Sequence, residues 1–416
     1  MNLLKSFSTY TLASFIERGI AFFLLPVFTF YLTPKDYGTL SLLQSIFGFL
    51  APLISLGSLG AISVAYYNEG RENYPSYFTS CLVMPGAITL VLTVLLLIGQ
   101  NFIGNYFEIP SIWIIVIPMF CFLSVFNSML LIDYQIKNEP FNYAKFSLSN
   151  STIGVLLSLF FVIILGFNYS GRLFGQYSGL IVFALIAFFI LHNRKVLVKT
   201  VKLDYIKDSL KFGLPLVPHT LGCMVIEISD RLFIDKILGK EILGIYNTGY
   251  IIGSTVAMLC AAFANAIIPF SYNLFKIDTL EAKKKLVKVY WIFVLILATV
   301  LFFLWLLAPY IFKYFIDSKF NNGQIYVFWV GLGYFFQGLY LLFANIIFYF
   351  KKTKILFYWS FVNVAVNLTL NYIFIHKLGA IGAAYATCIS YFLFFIAMAI
   401  ITNRYYSLPW FSFLKK

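Results

Sequence analysis

The sequence predicts an all-α polytopic membrane protein, and three observations carry that reading. Of its 416 residues, 61% are hydrophobic and 11% charged, whereas soluble domains carry about 25% charged residues. Apolar runs of about 20 residues, the length that crosses roughly 30 Å of hydrocarbon, recur from end to end. The alternating stretches of about ten residues that mark a membrane β-barrel are not evident.

Taking apolar runs between polar breaks gives twelve spans, at about 8–32, 38–66, 77–101, 109–133, 142–166, 172–192, 210–238, 242–273, 285–309, 323–350, 355–376 and 379–402. The first run is too long for a signal-peptide core and lacks a small-residue cleavage site after it. It is therefore expected to be a retained span. The cysteines at 81, 121, 223, 260 and 388 stand singly within apolar runs, without metal-ligand spacing. They read as small core residues, and no metal or other cofactor is expected.

A net charge of +14 invites a nucleic-acid reading, but the positions of the charges argue against it. Of the 30 Lys and Arg, 21 fall at the termini or in the even-numbered connections, seven fall on the opposite side, and Arg18 and Arg231 lie within spans. Such a bias follows the positive-inside rule and predicts that both termini are cytoplasmic. The basic excess is then a topology signal and a grip on anionic headgroups, with no nucleic-acid partner implied.

The two halves echo each other. "YLTPKDYGTL" (31–40) joins spans one and two as "ILGKEILGIY" (237–246) joins seven and eight, with Gly38 matching Gly244. "SGRLFGQYSG" (170–179) opens span six as "LGAIGAAYAT" (378–387) opens span twelve, with Gly171 over Gly379 and Tyr177 over Tyr385. "YQIKNEPF" (134–141) and "YFKKTKIL" (349–356) each follow a fourth span. These matches predict a six-span lobe over 1–192, an amphipathic cytoplasmic linker over 193–209 and a second six-span lobe over 210–416. With an even number of spans in each half, the lobes form a parallel repeat, as in transporters whose substrate site lies near the midplane between halves.

Span seven breaks the apolar pattern. A charge at the centre of a span costs about 2.5–3.5 kcal/mol on the insertion scale. Measured from His219 at about 100° per residue, Asp230 points near 20°, Glu227 near 80° and Arg231 near 120°. One third of the helix is therefore polar and should face protein or water. Span one carries Glu17 and Arg18 near its middle and Pro26 beyond them, while span seven has Pro215 and Pro218 near its start. These charges fit interhelical ion pairs, or a substrate or coupling-ion role; the two are compatible. His219 is either a proton-coupling group or a satisfied helix histidine. Asp235, near the outer interface, is expected to be solvated. Asn363, Asn367 and Asn371 recur every four residues along span eleven. That stripe suits either sugar hydroxyls or interhelical hydrogen bonds.

No phosphate-cradling glycine loop, nucleophile elbow or His/Cys cluster is present, which disfavours an enzyme and leaves ATP without a binding motif. Several stretches then resemble a known family: "LLPVFTFYLTPKDYGTLSLLQSIFGFLAPLISLG" (24–57), "LKFGLPLVPHTLG" (210–222), "SDRLFIDKILGKEILGIYNTGYIIG" (229–253) and "GAIGAAYAT" (379–387). They are similar to the polysaccharide repeat-unit (O-antigen or capsule, Wzx-type) flippases of the multidrug/oligosaccharidyl-lipid/polysaccharide exporter superfamily. The resemblance implies a MATE-like bundle of twelve helices in two lobes around a central cavity, in the cytoplasmic membrane. It implies an undecaprenyl-pyrophosphate-linked oligosaccharide as substrate, moved outward by alternating access, with the polysaccharide polymerase and glycosyltransferases as possible partners beside the membrane lipids. Arg18 and Arg231 are the positions that fit the pyrophosphate, since a guanidinium matches phosphate bidentately. Asn363 and Asn367 would meet sugars. Glu17, Glu227, Asp230 and His219 would couple H+ or Na+, or gate. The departure is that only two arginines lie deep, and acids flank both. A drug or cation antiporter of the same superfamily is the alternative reading, and a membrane glycan polymerase or acyltransferase is a third.

Overall fold

The computed structural model describes residues 12–410 apart from Ser14, Arg18, Ala21, Glu69 and Lys351. The described chain is helical throughout: α1 (Leu25–Tyr31), α2 (Pro34–Ser55), α3 (Ser58–Asn68), α4 (Gly70–Phe107), α5 (Ser111–Ile136), α6 (Pro140–Leu159), α7 (Asn168–Asn193), α8 (Leu203–Gly213), α9 (Val217–Leu238), α10 (Lys240–Gly253), α11 (Thr255–Ile277), α12 (Leu280–Phe315), α13 (Gln324–Tyr349), α14 (Thr353–Leu378) and α15 (Ile381–Asn403). Nine of the described helical segments are long and apolar enough to cross a membrane, or ten if the bent pair Leu203–Leu216 and Thr220–Leu238 is one span. Helix α14 is as long as its neighbours, but its three asparagines dilute its apolar character. With it and the partly described first span, the twelve expected spans are all accounted for.

Proline and glycine explain where spans break. A turn at Leu24 interrupts span one, and α1 restarts with Pro26 in its first turn, where a missing N–H costs nothing. The expected continuous span over 38–66 breaks at Leu56 and Gly57, which have φ of 44° and 71°. Gly57 is needed twice there. It takes the left-handed backbone, and a Cβ on it would lie 2.6 Å from the Gly213 Cα. Pro215 sits in a 3-10 turn, Leu214–Leu216, that separates α8 from α9.

The chain forms two compact units. One comprises residues 1–32 and 39–225, the other 33–38 and 226–416. In the first, Phe78, Met129 and Ala187 lie in a core with no exposed surface. The stretch between α7 and α8, and α8 itself, are pinned to the start of α4. Thr79 Oγ1 donates to the Val196 carbonyl at 3.3 Å, and Tyr77 OH donates to Asp208 Oδ2 at 2.7 Å. In the second unit, the chain after α15 folds back on α12 and α13, where the Trp291 indole N–H donates to the Trp410 carbonyl at 3.0 Å.

Each unit repeats the other's internal contacts. In the first, Tyr177 of α7 stacks on Phe120 of α5 at 3.7 Å, and in the second Tyr385 of α15 meets Trp329 of α13 edge-on at 4.6 Å. The Cys121 thiol of α5 donates to the Phe47 carbonyl of α2 at 3.6 Å, and the Cys260 thiol of α11 to the Tyr334 carbonyl of α13 at 3.5 Å. The third span is the longest of each half, with 38 residues in α4 and 36 in α12. Within the second unit, the short 33–38 segment packs directly on α10. A Cβ on Gly244 would overlap the Pro34 carbonyl, so these two backbones touch only because Gly244 has no side chain.

Candidate functional site

The charged residues of span seven form one network inside the second unit. Asp230 is 1% exposed. Its Oδ2 accepts from Tyr246 OH of α10 at 2.6 Å, and its Oδ1 accepts from the Arg231 backbone N–H at 2.8 Å. The Arg231 guanidinium lies 3.6 Å from Asp230 Oδ1 and 4.2 Å above the Tyr250 ring, and it donates to the Glu227 carbonyl one turn back. Tyr250 OH hydrogen-bonds Tyr334 OH of α13. An aromatic face attracts a guanidinium electrostatically, so Tyr250 and Asp230 together hold Arg231, with Tyr334 bonded to Tyr250 and Tyr246 bonded to Asp230. The sequence grouped Glu227, Asp230 and Arg231 on one sector; the structure pairs Asp230 with Arg231, and Glu227 meets Arg231 through its backbone carbonyl.

The asparagine stripe adjoins them. Asn363, Asn367 and Asn371 are all buried. Asn367 Oδ1 accepts from Ser229 Oγ at 2.9 Å and from Asn371 Nδ2 at 3.1 Å, while Asn367 Nδ2 donates to Ser390 Oγ at 3.3 Å. This lattice ties α9, α14 and α15 together beside the charged network. Asp235 departs from its expected solvation. It is 7% exposed and paired with Lys240, itself 8% exposed, at 3.2 Å. The helix turns at Gly239 (φ 90°), which folds Lys240 back over the carboxylate.

In the first unit, Glu17 accepts from Ser147 Oγ at 2.9 Å and Ser151 Oγ at 2.8 Å, two serines one turn apart on α6. Arg18 and the His219 side chain lie outside the described residues. A second charged cluster, at the junctions of α5, α6 and α7, has no counterpart in the sequence-based expectations. Asp133 has no exposed surface and accepts from Tyr74 OH at 3.0 Å, with Lys137 Nζ at 2.7 Å and Arg194 Nη1 at 3.3 Å. Arg194 also grips Glu139 with both arms, at 3.1 and 2.7 Å. Burial alone would raise the Glu139 carboxyl. The bonds from Arg194 and Asn142 outweigh it and hold that group below the usual carboxylate range.

The tyrosines are what sequence reasoning missed. No tyrosine stands out in the sequence as a site residue, yet Tyr246 has no exposed surface and hydrogen-bonds Asp230. One signal was present: Tyr246 and Tyr250 stand four apart on a helix that follows the charged one after a single turn.

This architecture is the MATE-like fold of a multi-pass membrane protein. Over 93% of this chain and 94% of the other, it is similar to the inward-facing form of a multidrug-resistance MATE family transporter of the MOP superfamily, with a TM-score of 0.76 at 14% identity. A MOP superfamily transporter from Pyrococcus furiosus aligns over 96% of both chains, with a TM-score of 0.61 at 13% identity. The MatE family model matches residues 215–373. The polysaccharide biosynthesis protein model matches residues 3–275, and the chain belongs to that family. It is also 24% identical to protein 1 of the Lsg locus of Haemophilus influenzae, over 86% of this chain and 87% of that one. The resemblance to polysaccharide flippases of this superfamily therefore holds.

Proposed function

We propose that this chain is a flippase that carries undecaprenyl-pyrophosphate-linked oligosaccharide repeat units outward across the cytoplasmic membrane by alternating access, driven by an H+ or Na+ gradient. The observation that carries the proposal is Arg231, a guanidinium at membrane depth in a chain of a polysaccharide biosynthesis family. A half-buried arginine within a span is a functional candidate, because hydrocarbon penalises it. In the ground state Asp230, the Glu227 carbonyl and Tyr250 occupy it. The pyrophosphate would take over from Asp230 as counter-ion, and the released carboxylate would then accept a proton or sodium ion. Glu17, with its two serine donors, would serve the first unit in the same way beside Arg18. Asn367 and Asn371 bond Ser229 and so set the position of α9 against α14, and sugars would meet Asn363 and Asn367 on whatever face of that lattice opens during transport.

The antiporter alternative needs an acid available to a cationic drug. Asp230 is already neutralised by Arg231 and bonded by Tyr246, which favours an anionic headgroup over a cation. Nothing in these roles is catalytic, and the chain would act without a cofactor.

Deleting the gene in its host tests the function. Lipid-linked repeat units should then be trapped on the cytoplasmic face, and normal surface glycan would overturn the proposal. In the complemented strain, Arg231→Lys keeps the charge but loses the planar fork. Glycan export should fall about tenfold or more with the protein still inserted, since a lost bidentate contact is worth on the order of 1.4 kcal/mol.

A further inference from the structure

Helix α12 carries a lysine cluster whose placement matches a single molecule of lipid. Lys284, Lys285 and Lys288 are exposed in its first turns. Thr279 caps the helix, its hydroxyl accepting from the Ala282 N–H at 3.3 Å. The positively polarised end of the helix dipole therefore adds to the lysine field. Between residues 276 and 292 the acids are Asp278, which Lys283 holds at 2.9 Å, and Glu281 at the helix start.

The same face of α12 continues as bare hydrocarbon. Counting about 100° per residue from Lys284, Lys288 lies near 40°, Ile292 near 80°, Leu295 near 20° and Phe302 near 0°. Those three apolar side chains are 48%, 62% and 55% exposed. Lys288 to Phe302 covers roughly 21 Å at 1.5 Å per residue, and half a bilayer with its headgroup region is about 20–22 Å. The stripe thus presents two ammonium groups at headgroup depth and an apolar track one leaflet long beneath them. A zwitterionic lipid would satisfy the track and leave the lysines uncompensated; an anionic one satisfies both.

We infer that this face of α12 is a selective site for one anionic phospholipid, with its phosphate between Lys284 and Lys288 and its chains along Ile292, Leu295 and Phe302. The two lysines supply the selectivity and the apolar track the hold. The site is separate from the charged network of α9.

Native mass spectrometry of the full chain, with phosphatidylglycerol and phosphatidylcholine in competition, tests this. Wild type should retain phosphatidylglycerol preferentially. A lysine near a charged surface contributes about a fivefold preference, so Lys284→Gln/Lys288→Gln should reduce the preference about 25-fold. Both side chains are exposed, so the fold should survive, and Lys284→Arg/Lys288→Arg should keep the preference. Three results would each overturn the inference: no preference in wild type, an undiminished preference in the glutamine variant, or equal displacement by soluble inorganic pyrophosphate.

Discussion

Two carboxylates within spans, half-buried Glu17 in the first unit and buried Asp230 in the second, are housed in different ways. Glu17 is met by two serine hydroxyls, whereas Asp230 is met by a tyrosine, a backbone N–H and the neighbouring arginine. Hydroxyls can bond either protonation state of an acid, so the first arrangement tolerates a change of charge. The second is built as a nearly neutral pair, and removing one member strands the other. The contrast teaches that corresponding spans of a duplicated sequence can each carry a carboxylate and still differ in how readily its charge is exchanged.

The comparison breaks most easily at Arg231. Arg231→Ala leaves Asp230 buried without its cation, and stability in detergent should fall by about 3–5 kcal/mol. Asp230→Asn/Arg231→Gln removes both charges and should recover most of that loss. Equal losses for the single and double variants would mean that the pair is not the reason. Next, Tyr246→Phe should cost about 1.5–3 kcal/mol, since a hydrogen bond to a charged group is at stake. Ser147→Ala should cost about 0.6 kcal/mol, typical of bonds between membrane helices. Reversed magnitudes in thermal unfolding would invert the ranking of the two sites.

The smallest effect is electrostatic and lies outside the spans. Glu139 has a depressed carboxyl pKa, so its stabilising contribution is present above the ordinary glutamate pKa and is lost as pH falls through the lower folded value. Because its side chain is 30% exposed, screening limits this to under about 1 kcal/mol. Wild type should lose slightly more stability than Glu139→Gln between neutral pH and the acid side of that range, and parallel curves would remove the role.

Much of the fold was legible because a membrane restricts what a chain can do. Apolar run length gives the spans directly, and the Gly38–Gly244 match picked out two positions where backbones do touch. The charge pattern of span seven showed in its helical spacing, which is local. What stayed hidden is made of distant partners. Asp133 and Arg194 are 61 positions apart, and Tyr334 is 84 from Tyr250, so no periodicity joins them. The solvation expected for Asp235 failed for a similar reason: position along a span says nothing about a lysine folding back across the next turn.

The short 33–38 segment carries a consequence for how the protein is made. The second unit contains six residues synthesised almost two hundred positions before the rest of it. As the nascent chain leaves the ribosome, that strip must wait at the turn between spans one and two, with the Pro34 carbonyl uncovered, until Gly244 arrives to sit on it. A carboxyl-terminal half expressed alone would begin with a piece missing, and co-expressing a fragment that includes 33–38 should rescue its assembly.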